Sequence, residues 1–140
     1  MAETSAYLKL THEGALAALT AGIAKAADMG QPQCISIVDN GGHLLAFIRM
    51  DGAFHMSMET ALRKAKTAAC YGQPTGGLPE GVDVKLALGT DGQRINLPGG
   101  LPIIVDGHCI GGVGVGSGTG EQDRQVATVA IAAIPGAQSF

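Results

Sequence analysis

The segment RMDGAFHMSM, residues 49–58, brings an arginine, an acid and a histidine close together as Arg49, Asp51 and His55. A guanidinium in such a loop offers two parallel hydrogen bonds to a carboxylate. The imidazole of His55 can serve as a general base or as a metal ligand. The blander reading is an Arg49–Asp51 surface pair that fixes the loop. Far along the chain, Glu121 and Asp123 fall in the expected first turn of a last helix. Carboxylates are stabilised there by the helix dipole; beside a pocket, either would also accept a proton from a substrate. His12, His43 and His108 read as solvated or structural residues, and no HxH or HExxH spacing occurs, so a structural zinc site is not expected.

The stretch GHCIGGVGVGSGTGEQD, residues 107–123, concentrates glycine ahead of that last helix. Bare backbone amides at a helix start attract phosphates. Here Gly112, Gly114, Gly116, Gly118 and Gly120 alternate, which gives neither GxGxxG nor a P-loop, so nucleotide binding is not expected. In a strand, Gly112, Gly114 and Gly116 share one face, while Val113 and Val115 share the other. Two readings follow, which can hold at different points along the strand: an alanine-rich helix packs on the bare face, or a flat ligand lies against it or fills space at the sheet end, by Gly116 and the last helix. Gly99 and Gly100, between Pro98 and Leu101, likewise form either a rigid turn or a pair of amide donors to a ligand oxygen.

The elements that must position these residues are legible in part. Thr11 caps a first helix whose Leu16, Leu19, Ile23 and Ala27 recur at helical spacing, and Gly30 with Pro32 ends it. CISIVDNGGHLLAFIRM predicts a hairpin turning at Asp39–Gly42. SMETALRKAKTAACYG predicts a second helix capped by Ser57, with Ala61, Leu62, Ala65, Ala68 and Ala69 as its apolar stripe. From Gln73 to Gly92 the pattern is weak, and VDVKLALG fits a short helix or a strand. Two more antiparallel strands follow, turning at Asp106-Gly107. A capping box of Thr119 and Gln122 then opens the last helix, which Pro135-Gly136 stops. Hairpin-joined strands flanked by helices predict an α+β fold with an antiparallel sheet, as one domain over residues 1–140.

Composition narrows the function classes. The net charge is -3 and there is no basic block, so neither nucleic acid nor an anionic membrane is an expected partner. Cys34, Cys70 and Cys109 are widely spaced without CxxC, which argues against a disulfide framework and for a reducing compartment. MAETSAYLKL lacks the pattern of a signal peptide, and no apolar run is long enough to span a bilayer. A soluble cytoplasmic protein is the simplest expectation.

Several motifs occur together: VDNGGHLLAFIRMDGA (38–53), KAKTAA (64–69), LPGGLPIIVDGHCIGGVGVGSGTGEQD (97–123) and the alanine-rich last helix. With them the chain resembles the HbpS-like haem-binding and haem-degrading family, which includes the GlcG proteins of glycolate operons. The resemblance implies a profilin-like α+β fold, homo-oligomers and, as for some members of the family, binding of haem or a related tetrapyrrole, with no other cofactor expected. It also singles out Lys64, in the family's KA-x-TA motif, and offers Arg49 to a haem propionate and His55 to the iron. The first functional reading is thus a small-molecule-binding protein assisting tetrapyrrole or catabolic cofactor handling, its ligand near Arg49, Asp51, His55 and Glu121. A second is a cofactor-free isomerase or lyase acting on a small oxo-acid, with Glu121, Asp123 or His55 as base. A third is a non-catalytic accessory subunit.

Overall fold

The structure, a computed structural model, describes residues 2–140. Its elements run α1 (His12–Asp28), β1 (Cys34–Asp39), β2 (Leu44–Arg49), α2 (Ser57–Tyr71), α3 (Val82–Gly89), β3 (Gly100–Val105), β4 (His108–Gly116) and α4 (Gly120–Ala132). The strands form one antiparallel sheet in the order β2-β1-β4-β3. The expected α+β fold, an antiparallel sheet flanked by helices, is the fold observed. Among the described residues no helix is long and apolar enough to cross a membrane.

Local chemistry explains most boundaries. Thr11 accepts a hydrogen bond from the Gly14 amide at 3.0 Å to start α1, and Gly30 follows its end at φ 66°. Asp106 and Gly107 both take positive φ, 49° and 78°, the backbone that a two-residue hairpin of this twist requires. Thr119 and Gln122 form the reciprocal capping box at α4. Two expectations need correction. Ser57 is not a side-chain cap: it is buried as the first residue of α2, and Met56 precedes it without a capping bond. In α1 the inward face is Ala15, Ala18, Leu19, Gly22 and Ala26, whereas Leu16 is 59% exposed. Small residues take that face because α1 packs closely on α4; Gly22 lies against Val126 and Ala130.

The sheet separates two layers. Ile35, Ile37, Leu101, Ile103, Val113 and Val115 point into the main core beneath α1 and α4. The alternate residues face α2, and they are small: Ser36, Gly114 and Gly100 stand side by side in register, as do Val38, Gly112 and Pro102. α2 rests directly on this bare strip. A methyl group added at Gly114 would collide with the backbone of Ala61 and Ala65, and one at Gly112 with that of Ala65 and Ala69. At Gly116 an added methyl would come within 3.1 Å of Ser57 and Thr60.

Of the two readings of the glycine face, packing is therefore the one observed. The room expected beside Gly116 is filled by the start of α2, which leaves no space within the chain for a ligand there. Gly99 and Gly100 are also enclosed: the Gly100 amide donates to Thr75 Oγ1 at 2.9 Å, and Gly99 faces Lys64 and Asp123.

Because the obstructing atoms are backbone, Gly114→Ala should cost about 3 kcal/mol, the upper range for overpacking. Gly77→Ala, where nothing lies within 4 Å, should stay within about 0.5 kcal/mol of the parent. Urea unfolding of the two variants checks the difference; equal midpoints would contradict the packing just described.

Candidate functional site

At one end of the sheet Arg49 closes β2 in register with Cys34, which in turn pairs with Gly116. The following loop is tied back to that end. Phe54 donates its amide to Ser117 Oγ at 3.0 Å, and the Cys34 thiol lies 3.7 Å from the Phe54 carbonyl. So pinned, the loop holds His55 and Asp51 in solvent, with Phe54 63% and Met56 74% exposed. Arg49 does not pair with Asp51. Its Nη1 donates to the Met58 sulfur at 3.5 Å, and among the described residues no carboxylate neutralises it. The His55 imidazole has no hydrogen-bond partner among those residues. Beside Met58 a shallow groove of about 160 Å³ is lined by Leu44, Phe47, Met58 and Leu62 alone.

The apolar residues around His55 were not among the candidates read from sequence, though a signal existed. In a chain with only 4% aromatic residues, AFHM sets two large apolar side chains, Phe54 and Met56, in a break between elements, where no core can absorb them.

Lys64 and Asp123 behave differently. Lys64 Nζ donates to Asp123 Oδ2 at 3.0 Å and to the Val115 carbonyl at 2.7 Å, while the other Asp123 oxygen accepts from the Gly118 amide. Both side chains are buried. The pair links α2 on one face of the sheet to α4 on the other, passing Gly99, where a Cβ would come within 3.1 Å of Nζ. Asp123 is thus engaged by a cation and an amide and closed to solvent in this chain, whereas Glu121 is exposed in the same turn. The structure brings Lys64, Asp123 and Gly99 together and leaves Arg49, Asp51, His55 and Glu121 on the surface. Near the pair, the Gln33 side chain is buried and, among the described residues, neither of its polar atoms is bonded; the same holds for the Ser36 hydroxyl under α2.

The larger concavity lies elsewhere. A cleft of about 550 Å³ opens between the last turn of α2, the loop after it, α3 and residues 94–96. None of the site residues expected from sequence lines it. It occupies the stretch whose pattern was weak, for a physical reason: VDVKLALG alternates like a strand but folds as a helix with apolar residues on two sides and none buried.

Burial, opposed by Ser117 and Arg49, pushes the Cys34 thiol above its ordinary 9.0; burial raises Cys109 likewise. Among the described residues no cluster of three or more metal-ligating side chains occurs.

The fold has counterparts in known proteins. Residues 10–132 match the family described as "Haem degrading protein HbpS-like", and the chain belongs to that family. Protein GlcG of Escherichia coli (strain K12) is 39% identical over 107 residues, covering 76% of this chain and 80% of GlcG. The crystal structure of Klebsiella pneumoniae protein ORFY superposes with a TM-score of 0.90 at 32% identity, covering 96% of each chain. The crystal structure of a PduOC:heme complex does so at 0.87 with 30% identity, covering 95% of this chain and 99% of that one.

Two outcomes follow from the buried groups. Lys64→Ala strands the Asp123 carboxylate and should cost about 3–5 kcal/mol, whereas replacing both residues with apolar side chains should recover most of that loss in urea unfolding. The Cys34 thiol is neutral in the folded state, and its folded value is the higher one. The stability it contributes is complete below pH 9.0 and is lost as pH rises through the folded value. Cys34→Ala should therefore flatten the decline of the unfolding midpoint above pH 9.0, and an unchanged slope would contradict the assignment.

Proposed function

We propose that this protein binds haem or a closely related tetrapyrrole on the β2–α2 face, at the loop of residues 49–58. One observation carries the reading: a guanidinium with no carboxylate partner and an imidazole with no hydrogen bond, among the described residues, stand near exposed Phe54 and Met56 and an apolar groove. This is the donor set a tetrapyrrole needs. Membership of a family described as haem-degrading supports it, as does the likeness to a chain crystallised with heme.

The residues present fit the group. Arg49 would hold a propionate with charge-assisted hydrogen bonds, and His55 would ligate the iron through one imidazole nitrogen. Phe54, Met56 and Met58 would cover the apolar macrocycle, whose burial stabilises binding by about 25 cal/mol per Å². Asp51, exposed in the same loop, makes no ion pair with Arg49 and so leaves that guanidinium to the propionate. Lys64, Gly99, Gly100 and Gly116 support this end from inside rather than touch the ligand. Bound haem would supply a redox-active iron; the chain's part is to seat it and to limit water at its edge. Because the face is shallow, a second copy of the chain would have to complete the enclosure, in keeping with a homo-oligomer.

The isomerase or lyase reading has less support. Its bases do not converge: Asp123 is engaged in the buried ion pair, and neither concavity is lined by Glu121, Asp123 or His55.

A haem titration followed by the Soret band tests the proposal. The parent should shift the band at stoichiometric haem. Arg49→Ala should weaken binding roughly ten-fold or more, in line with about 1.5–3 kcal/mol for a charged hydrogen bond, with an unchanged unfolding midpoint. His55→Ala should alter the band position. No Soret shift in the parent, or loss of affinity only in step with loss of stability, would end the assignment.

A further inference from the structure

The geometry points to the 550 Å³ cleft as a second binding site, separate from the haem face, that takes a small organic carboxylate with an apolar body. Its size lies in the roughly 300–1,000 Å³ range of small-molecule sites. Its chemistry selects the class. Tyr71, Leu78, Val82, Leu86 and Ile95 supply apolar walls, and Arg94 is the one charged residue among those lining the cleft.

Arg94 has no acidic partner among the described residues. Its Nε donates to the Cys70 sulfur at 3.0 Å and its Nη1 to the Gln93 carbonyl at 3.3 Å. A half-buried guanidinium with only neutral acceptors, set in apolar walls, gains most from one anionic group of matching fork geometry. A carboxylate replaces the weak sulfur acceptor with a charged one, while the body of the ligand covers the walls. A dianion would leave one charge in apolar surroundings, and a neutral molecule would leave Arg94 as it is.

Of the other polar residues lining the cleft, Thr67, Thr75 and Asn96 hold the frame, while Gln73 and the Tyr71 hydroxyl stand at its exposed side. Asn96 bonds the Leu78 backbone in both directions, at 3.0 and 3.4 Å, which fixes the loop after α2 against residues 94–96. Thr67 Oγ1 accepts from the Ile95 amide at 3.0 Å.

The movable wall is α3. It contributes no buried residue, turns Val82 and Leu86 to the cleft, and leaves Val84 and Leu88 in solvent. An element with so little buried surface opens at low cost, and a ligand that covers Val82 and Leu86 gives it the packing it lacks.

The test uses octanoate and 3-phenylpropanoate as probes, with octan-1-ol and 3-phenylpropan-1-ol as neutral counterparts. Binding is read by amide hydrogen exchange and by methyl chemical shifts of Val82 and Leu86. At least one carboxylate should slow exchange over residues 82–89 and bind ten-fold or more tightly than its alcohol. Arg94→Met should abolish that preference with an unchanged melting temperature, and Leu86→Trp should block binding by filling the cleft. Haem uptake should persist in Arg94→Met, so failure here is distinguishable from failure of the haem reading. Binding by neither carboxylate, equal binding of acid and alcohol, an unaltered preference in Arg94→Met, or shifts centred on residues 49–58 would each overturn the proposal. Loss of haem uptake in Arg94→Met would do the same, because the cleft would then seat the tetrapyrrole.

Discussion

A helix can rest on a sheet at backbone distance only where the sheet presents almost no side chains, and the placement of α2 depends on that condition. Ser36, Gly114 and Gly100 form one such row, and Val38, Gly112 and Pro102 the next. Because Ala61 and Ala65 meet the Gly114 backbone directly, α2 has little freedom to slide or tilt. Each candidate feature is then set by where this one helix lies. Its start brings Met58 to Arg49 and fixes the loop that carries His55. Its middle delivers Lys64 to Asp123 across the sheet end. Its last turn provides Thr67, Cys70 and Tyr71 to the cleft.

The same constraint explains why glycine is concentrated in β4 without forming a phosphate or ligand loop. Glycine costs conformational entropy in a strand, and here the cost is offset by contact between two backbones. The Lys64–Asp123 pair extends the arrangement. A buried charge pair is seldom a large net source of stability, but removing one partner is costly. Its position, between α2 on one face and α4 on the other, suits it to keep the two layers in register.

Much of the architecture was legible in the sequence because local chemistry decided it. Thr11, the Asp106-Gly107 turn and the Thr119–Gln122 capping box each act over a few residues. So does the stop at Gly30. What could not be read were consequences of tertiary approach. The inward face of α1 is Leu19 among alanines and a glycine, and excludes Leu16, because the partner helix is close. Whether the bare glycine strip held a ligand or a helix depended on which element covered it, and spacing along β4 carries no information on that point. The cleft stayed hidden because α3 has no single apolar stripe. Arg49, Asp51 and His55 were visible as a group; Phe54 and Met56 were legible as apolar residues in a break, but their exposure beside His55 follows from where the pinned loop places them.

The account places any tetrapyrrole outside the sheet–α2 layer, against residues 49–58, and paramagnetic broadening of amide signals by ferric haem tests that placement most directly. Resonances of residues 49–58 should broaden first on adding haem, while Gly112 and Gly114 and the cleft residues 94–96 stay sharp. Broadening centred on the glycine strand or on the cleft, with residues 49–58 unaffected, would contradict the account.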